Sequence, residues 1–230
     1  MFFPKFLKIA TATLFFSNPL LVESLQTYRF PFTESTAQAQ TVLIPSEEIA
    51  TKKWQTLTSR EANFTVLMPA GNPQQNTFEK SEDQFQIKIQ SFALPDENGI
   101  YYFVAYSNAL PFTAESLTRE QAEIFYNTLT QSFIGQLPEA QIRYRSDIKL
   151  KNFTGQEMEI EAANGVLLKV RVFLANSRIY LIMVGIPTPS LAQSQNVAQF
   201  LNSFDLVNYQ APVVSKKINS KKQTKAYSID

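Results

Sequence analysis

Residues 157–173, EMEIEAANGVLLKVRVF, hold the pattern on which the fold turns. Met158, Ile160 and Ala162 alternate with Glu157, Glu159 and Glu161, and side chains two residues apart share a face of a β-strand. Val166 to Phe173 forms a second strand of β-branched and apolar residues. A three-residue loop, Ala163-Asn164-Gly165, with Gly165 supplying the positive φ, sets Glu159 opposite Lys169 and Glu157 opposite Arg171. The same register gathers Met158, Ile160, Leu168 and Val170 on the other face. A two-residue Asn164-Gly165 turn would set Ile160 opposite Lys169 and mix the faces, so the longer loop is expected.

The pattern extends both ways. Upstream, Ile142, Tyr144, Ser146, Ile148 and Leu150 alternate with Arg143, Arg145, Asp147, Lys149 and Lys151. A loop at Asn152-Phe153-Thr154 is expected to place Lys149 opposite Glu157 and Arg145 opposite Glu161, striping the face basic, acidic, basic. Downstream, Ile179 to Ile186 is a strand reached through an Asn176-Ser177 turn. Nearer the N-terminus, Trp54–Leu57, Phe64–Met68, Phe85–Phe92 and Ile100–Tyr106 read as four more strands, with 70–76 a loop. A helix is expected over 118–134. Thr118 and Gln121 form a capping box, Ala122, Phe125, Leu129 and Phe133 are its core stripe, and Gly135 and Pro138 end it. A second helix is expected from Ser190, boxed by Gln193, with Val197, Leu201 and Phe204 inside. The order ββββ-α-ββββ-α, broken by hairpin-length turns, predicts an α+β fold: an α-β-α sandwich around a central antiparallel sheet.

Composition narrows the chemistry. The chain has 230 residues, no Cys and no His, and a formal net charge of +1. Without Cys there are no disulfides, thiolate nucleophiles or iron–sulfur ligands. Without His, a Ser-His-Asp or Cys-His site cannot be built, and the commonest metal ligand is missing. Six glycines form no phosphate-cradling loop. The near-neutral total argues against general nucleic-acid binding. No cofactor, metal or catalytic residue is expected.

The charge is unevenly spread. Residues 40–207 hold 13 basic and 17 acidic residues, whereas 208–230 hold five lysines and one Asp. Those lysines, Lys216, Lys217, Lys221, Lys222 and Lys225, are the candidate interaction residues, in a tail expected to be disordered. At the other end, Lys5 and Lys8 precede the apolar run 9–16, and Ala37-Gln38-Ala39 is a small-x-small cleavage site. Residues 1–39 are therefore expected to be a signal peptide, 40–51 a linker and 52–207 one domain. An uncleaved anchor is the competing assignment, although Pro19 and Glu23 leave the apolar run short of the ~20 residues a spanning helix needs.

Three groups could carry a site. Glu157, Glu159 and Glu161 could act as paired carboxylates or hold calcium. Lys and Arg are expected opposite them on the neighbouring strands, however, so a charge-paired solvated face is expected. Asp96-Glu97-Asn98-Gly99 has half the look of a calcium loop but lacks its spacing, and a hairpin turn is expected. Tyr101, Tyr102, Phe103 and Tyr106 are expected in the core, because their strand is apolar on both faces.

Trp54 to Leu57 and Phe64 to Pro69 resemble the W-x-x-L/F opening and F-T-V-x-x-P strand of small exported cyanobacterial proteins, as does Ala-Gln-Ala-Gln at 37–40. Phe153-Thr154-Gly155-Gln156-Glu157, Val170–Phe173, Asn176–Ile182 and Asn202-Ser203-Phe204 are similar to the PsbP-like sandwich group. The resemblance spans roughly 52–207. It implies an α-β-α sandwich and an accessory or assembly role for photosystems on the lumenal side of the thylakoid. It supplies no catalytic motif, and the lysine tail lies outside its pattern. A non-catalytic exported accessory or binding protein is thus the leading expectation, in the periplasm or thylakoid lumen, with a photosystem or envelope complex as protein partner. The alternative is an envelope protein holding anionic lipid or wall polymer through its basic tail. A carboxylate-based glycan hydrolase comes third, since the carboxylates that can be placed lie on a flat, charge-paired face.

Overall fold

The computed structural model of the chain describes residues 54–82, 85–137 and 139–207. The expected signal peptide, the linker and the lysine tail lie outside the described residues, as does Pro138. Among these residues are ten strands: β1 Trp54–Ser59, β2 Phe64–Pro69, β3 Gln74–Glu82, β4 Phe85–Pro95, β5 Tyr101–Ser107, β6 Gln141–Leu150, β7 Phe153–Glu161, β8 Leu167–Ala175, β9 Arg178–Ile186 and β10 Asp205–Leu206. Two α-helices join them, α1 Arg119–Ile134 and α2 Gln195–Ser203.

Seven strands form one antiparallel sheet in the order β3-β4-β5-β9-β8-β7-β6, and β1-β2-β10 form a second, smaller one. Strand alternation sends β9 residues two ways. Ile179, Leu181 and Met183 face a core shared with Phe125, Leu129 and Phe133 of α1. Tyr180, Ile182 and Val184 face a core shared with Phe64 and Val66 of β2 and Val197 and Phe200 of α2. Met158 and Ile160 join the α1 core, as their spacing predicts. A sheet-dominated, antiparallel mixed fold is therefore present, but its third layer is composite: α2 shares it with the small sheet.

The observed order is five strands, α1, four strands, α2 and a short strand, which corrects the expected ββββ-α-ββββ-α. Residues 74–82, QQNTFEKSE, are a strand where a loop over 70–76 was expected; β3 pairs with β4 over nine residue pairs. An edge strand has one neighbour and little to bury, so a polar sequence suffices. β1 and β2 leave the main sheet because their hairpin packs across it. Phe64 stacks edge-on against Tyr106 and Tyr180, and Tyr180 Oη donates to Ala62 O at 2.8 Å.

The caps explain the helix limits. Thr118 and Gln121 form the expected reciprocal box on α1. α2 begins later than expected: Pro189–Leu191 is a 3-10 turn, and Ser194 caps the helix through Val197 N. The shift brings Phe200, absent from the expected stripe, to full burial beside Val197 and Leu201, while Phe204 follows the helix in extended backbone and is also buried.

The β7–β8 register matches expectation. Glu159 lies opposite Lys169 and Glu157 opposite Arg171, with Gly165 at φ 74° in the connection. The β6–β7 register does not. Ser146, not Lys149, lies opposite Glu157, and Gln141, not Arg145, lies opposite Glu161. The loop is only Lys151-Asn152, with Lys151 at φ 55°, and a bulge at Arg143 shifts the remainder. Phe153, expected in the loop, is drawn into the α2 core. Gly155 is required by close approach, since a Cβ there would lie 2.5 Å from Val172 O and clash with the edge of the Phe173 ring.

Candidate functional site: the groove between the first helix and the sheet edge

Among the described residues β6 is an edge strand of the large sheet, and α1 stands over it, with Asn127 bonded to Arg145. Between them runs an open groove of about 1190 Å³. Its floor is set by Tyr126, whose phenol donates to Thr154 O at 2.6 Å and accepts from Leu174 N at 3.1 Å. One side chain thus ties α1 to β7 and β8. Burial, as the main cause, pushes its pKa up to about 12; the Leu174 N–H opposes the rise and the nearby Asp147 charge adds to it. At neutral pH it is a neutral hydrogen-bonding group.

Beside it lies a polar chain. Arg145 donates to Asn127 Oδ1 at 2.6 Å and to Gln156 Oε1 at 3.1 Å, and Gln156 Nε2 donates to Asp147 Oδ1 at 3.2 Å. Gln156 is buried, so its amide must be satisfied, and it bridges a cation and an anion standing two residues apart on β6. Arg145 and Lys149 line the sheet side of the groove, Glu115 and Glu123 the helix side. Such a groove presents donors and acceptors to a bound polar chain.

The sequence-predicted groups fall elsewhere. Glu157, Glu159 and Glu161 share the opposite face of β7 and pair with Arg171, Lys169 and Arg143 in turn. Arg171 also donates to Leu201 O at 2.7 Å and to Asn202 Oδ1 at 3.0 Å, anchoring the C-terminal end of α2, where a cation is favoured. These carboxylates are structural partners. Asp96 Oδ1 accepts from Asn98 N and Ile100 N at 2.8 and 3.1 Å, a hairpin turn as expected. Tyr102, Phe103 and Tyr106 are buried in the two cores, and Tyr101 packs at the margin of one. Lys216, Lys217, Lys221, Lys222 and Lys225 lie outside the described residues. Among the described residues no group of three or more Asp or Glu is placed to hold a metal, and no helix is long and apolar enough to cross a membrane.

Sequence reasoning missed Tyr126, Asn127, Arg145 and Gln156 as a group. The signals were there singly: Tyr126 follows Phe125 on the inner side of α1, and Gln156 stands mid-strand between a glycine and a glutamate. Their meeting depends on the β6–β7 register, which the loop length decides.

No family model matches this chain, and no curated protein does. Among solved structures it is similar to Pseudomonas aeruginosa PA94, a protein of unknown function described as a candidate regulator. That likeness has 13% identity over 69% of this chain and 99% of the other, with a TM-score of 0.35. It is also similar to cyanobacterial PsbP (CyanoP) from Synechocystis sp. PCC 6803, with 11% identity over 71% of this chain and 98% of the other, and a TM-score of 0.43.

Proposed function

We propose that this chain is a non-catalytic accessory protein that binds a protein partner in the groove between α1 and β6. The observation that carries it is the Asn127–Arg145–Gln156–Asp147 chain of hydrogen bonds, set along an open groove. Grooves of this kind suit an extended polypeptide, whose backbone offers donors and acceptors along its whole length. An exported setting, in periplasm or thylakoid lumen, extends the proposal on the signal-like segment 1–39 and the sequence resemblance, and a photosystem complex as the partner on the resemblance alone.

The test is site-specific photocrosslinking in membranes solubilised with gentle detergent. A crosslinker at Glu123, on the helix side of the groove, is expected to give an adduct with a protein other than a second copy of this chain. One at Gln193, on the far face, gives none, and Arg145→Ala weakens the Glu123 adduct. Equal labelling from both positions would overturn the assignment of the groove.

A further inference from the structure

β6 raises a question that the groove alone does not answer. Three large apolar side chains are exposed among the described residues, and two of them, Ile142 and Tyr144 (37% and 51%), stand on this strand. Arg145 and Asp147, also on β6, have no ion pair among the described residues; each leans on the Gln156 amide. An edge strand of ten residues with this pattern is a template for pairing.

We infer that a second copy of this chain covers β6. The two β6 strands pair antiparallel about a two-fold axis at Ser146, extending each seven-stranded sheet into its mate. A two-fold axis perpendicular to the sheet keeps each residue on its own face, so odd-numbered residues meet odd and even meet even. Centring at Ser146 sets Arg145 opposite Asp147 of the second copy, and by symmetry does so twice. On the other face it sets Tyr144 opposite Ile148 of the second copy, again twice. An axis at Arg145 or at Asp147 instead brings like charges face to face, which opposes pairing. The axis at Ser146 would bring Arg143 towards Lys149, but the ladder is bulged at Arg143, whose charge is already matched by Glu161. The interface is self-complementary, as a two-fold requires.

The arrangement bears on the groove. Both α1 helices fall on one side of the joined sheet, and the two grooves adjoin. Asp147 of the second copy enters beside Arg145, so the polar wall is complete only in the pair. The inference stands independently of any ligand.

The absence of cysteine makes the register directly readable. Residues directly opposite in an antiparallel pair have Cα atoms about 4.5–5.5 Å apart, within the span of a disulfide. Under mild oxidation Ser146→Cys in the full-length chain is expected to give a covalent dimer, while Gln74→Cys on the opposite edge does not. Sedimentation equilibrium of the unmodified chain should give twice the 26.1 kDa chain mass. Arg145→Asp and Asp147→Arg should each weaken self-association at least tenfold, and an equimolar mixture of the two should dimerise again. Circular dichroism of each variant separates lost pairing from lost folding. A monomeric unmodified chain at ~100 µM, without Ser146→Cys crosslinking, overturns the inference and makes the β6 charges guards against edge pairing. So does a dimer that survives both reversals, which would place the interface elsewhere.

Discussion

Tyr126 serves three elements with one oxygen, and its loss should be felt in all of them. Tyr126→Phe leaves the buried Leu174 N–H without an acceptor and Thr154 O without its donor. Stripping a buried group of its partner costs about 1–3 kcal/mol, and urea melts should show a fall of that size. The same residue gives the protein an alkaline limit. Burial raises the pKa of Tyr126 and of Tyr180 to about 12, and that of Tyr102 further. A proton held more tightly in the fold than in the open chain stabilises the fold fully below pH ~10, the ordinary tyrosine value. That contribution drains away as the pH climbs towards 12. Circular dichroism followed against pH should therefore show unfolding between about pH 10 and 12, in step with tyrosinate absorbance. Tyr180→Phe should make the alkaline loss shallower.

Elements differ in how openly the sequence declares them. The β7–β8 hairpin was legible because two signals agreed: alternation through Glu157–Glu161, and Gly165 where a positive φ is needed. α1 was legible through its capping box and its stripe, and Leu129→Ala should cost ~2–5 kcal/mol, the range for a fully buried leucine. A loss under ~0.5 kcal/mol in urea melts would show that its face had been misassigned. β3 was not legible, because a strand with one neighbour need bury only Phe78, and even that in part. The β6–β7 register was not legible either. Lys151 adopts a left-handed backbone that nothing in its side chain announces, and the tight turn follows from burial of Phe153, a tertiary demand. Since the groove's polar chain depends on that register, the candidate site was hidden with it. The start of α2 was misplaced because Pro189 opens a 3-10 turn that imitates the first turn of a helix.

At the scale of the whole molecule, the cores close at Leu206, which packs beside Phe64 while Lys151 holds its carbonyl and pairs with Asp205 at 2.9 Å. None of these contacts involves 208–230, and removing that tail is expected to leave the melting temperature nearly unchanged. The proposal that the tail lysines adhere to anionic surfaces is separable from this. Full-length chain should co-sediment with anionic vesicles at low salt, and truncated chain should not. High salt should abolish the difference, since each lysine is worth ~1 kcal/mol at most and is screened. Equal sedimentation of both forms at low salt removes the tail from any adhesive role. The sheet order carries a further consequence, for the way the chain reaches this state. Every neighbouring pair in the large sheet is a local hairpin except β5 with β9, where Tyr101 meets Gly185 and Tyr106 meets Tyr180. That seam joins an early meander to a late one, with α1 and three strands between its two sides in the sequence. Closing so long a loop is the entropic bottleneck of assembly. Apolar truncations along the β5–β9 seam should therefore slow refolding, whereas those in the β6–β7 hairpin should chiefly hasten unfolding.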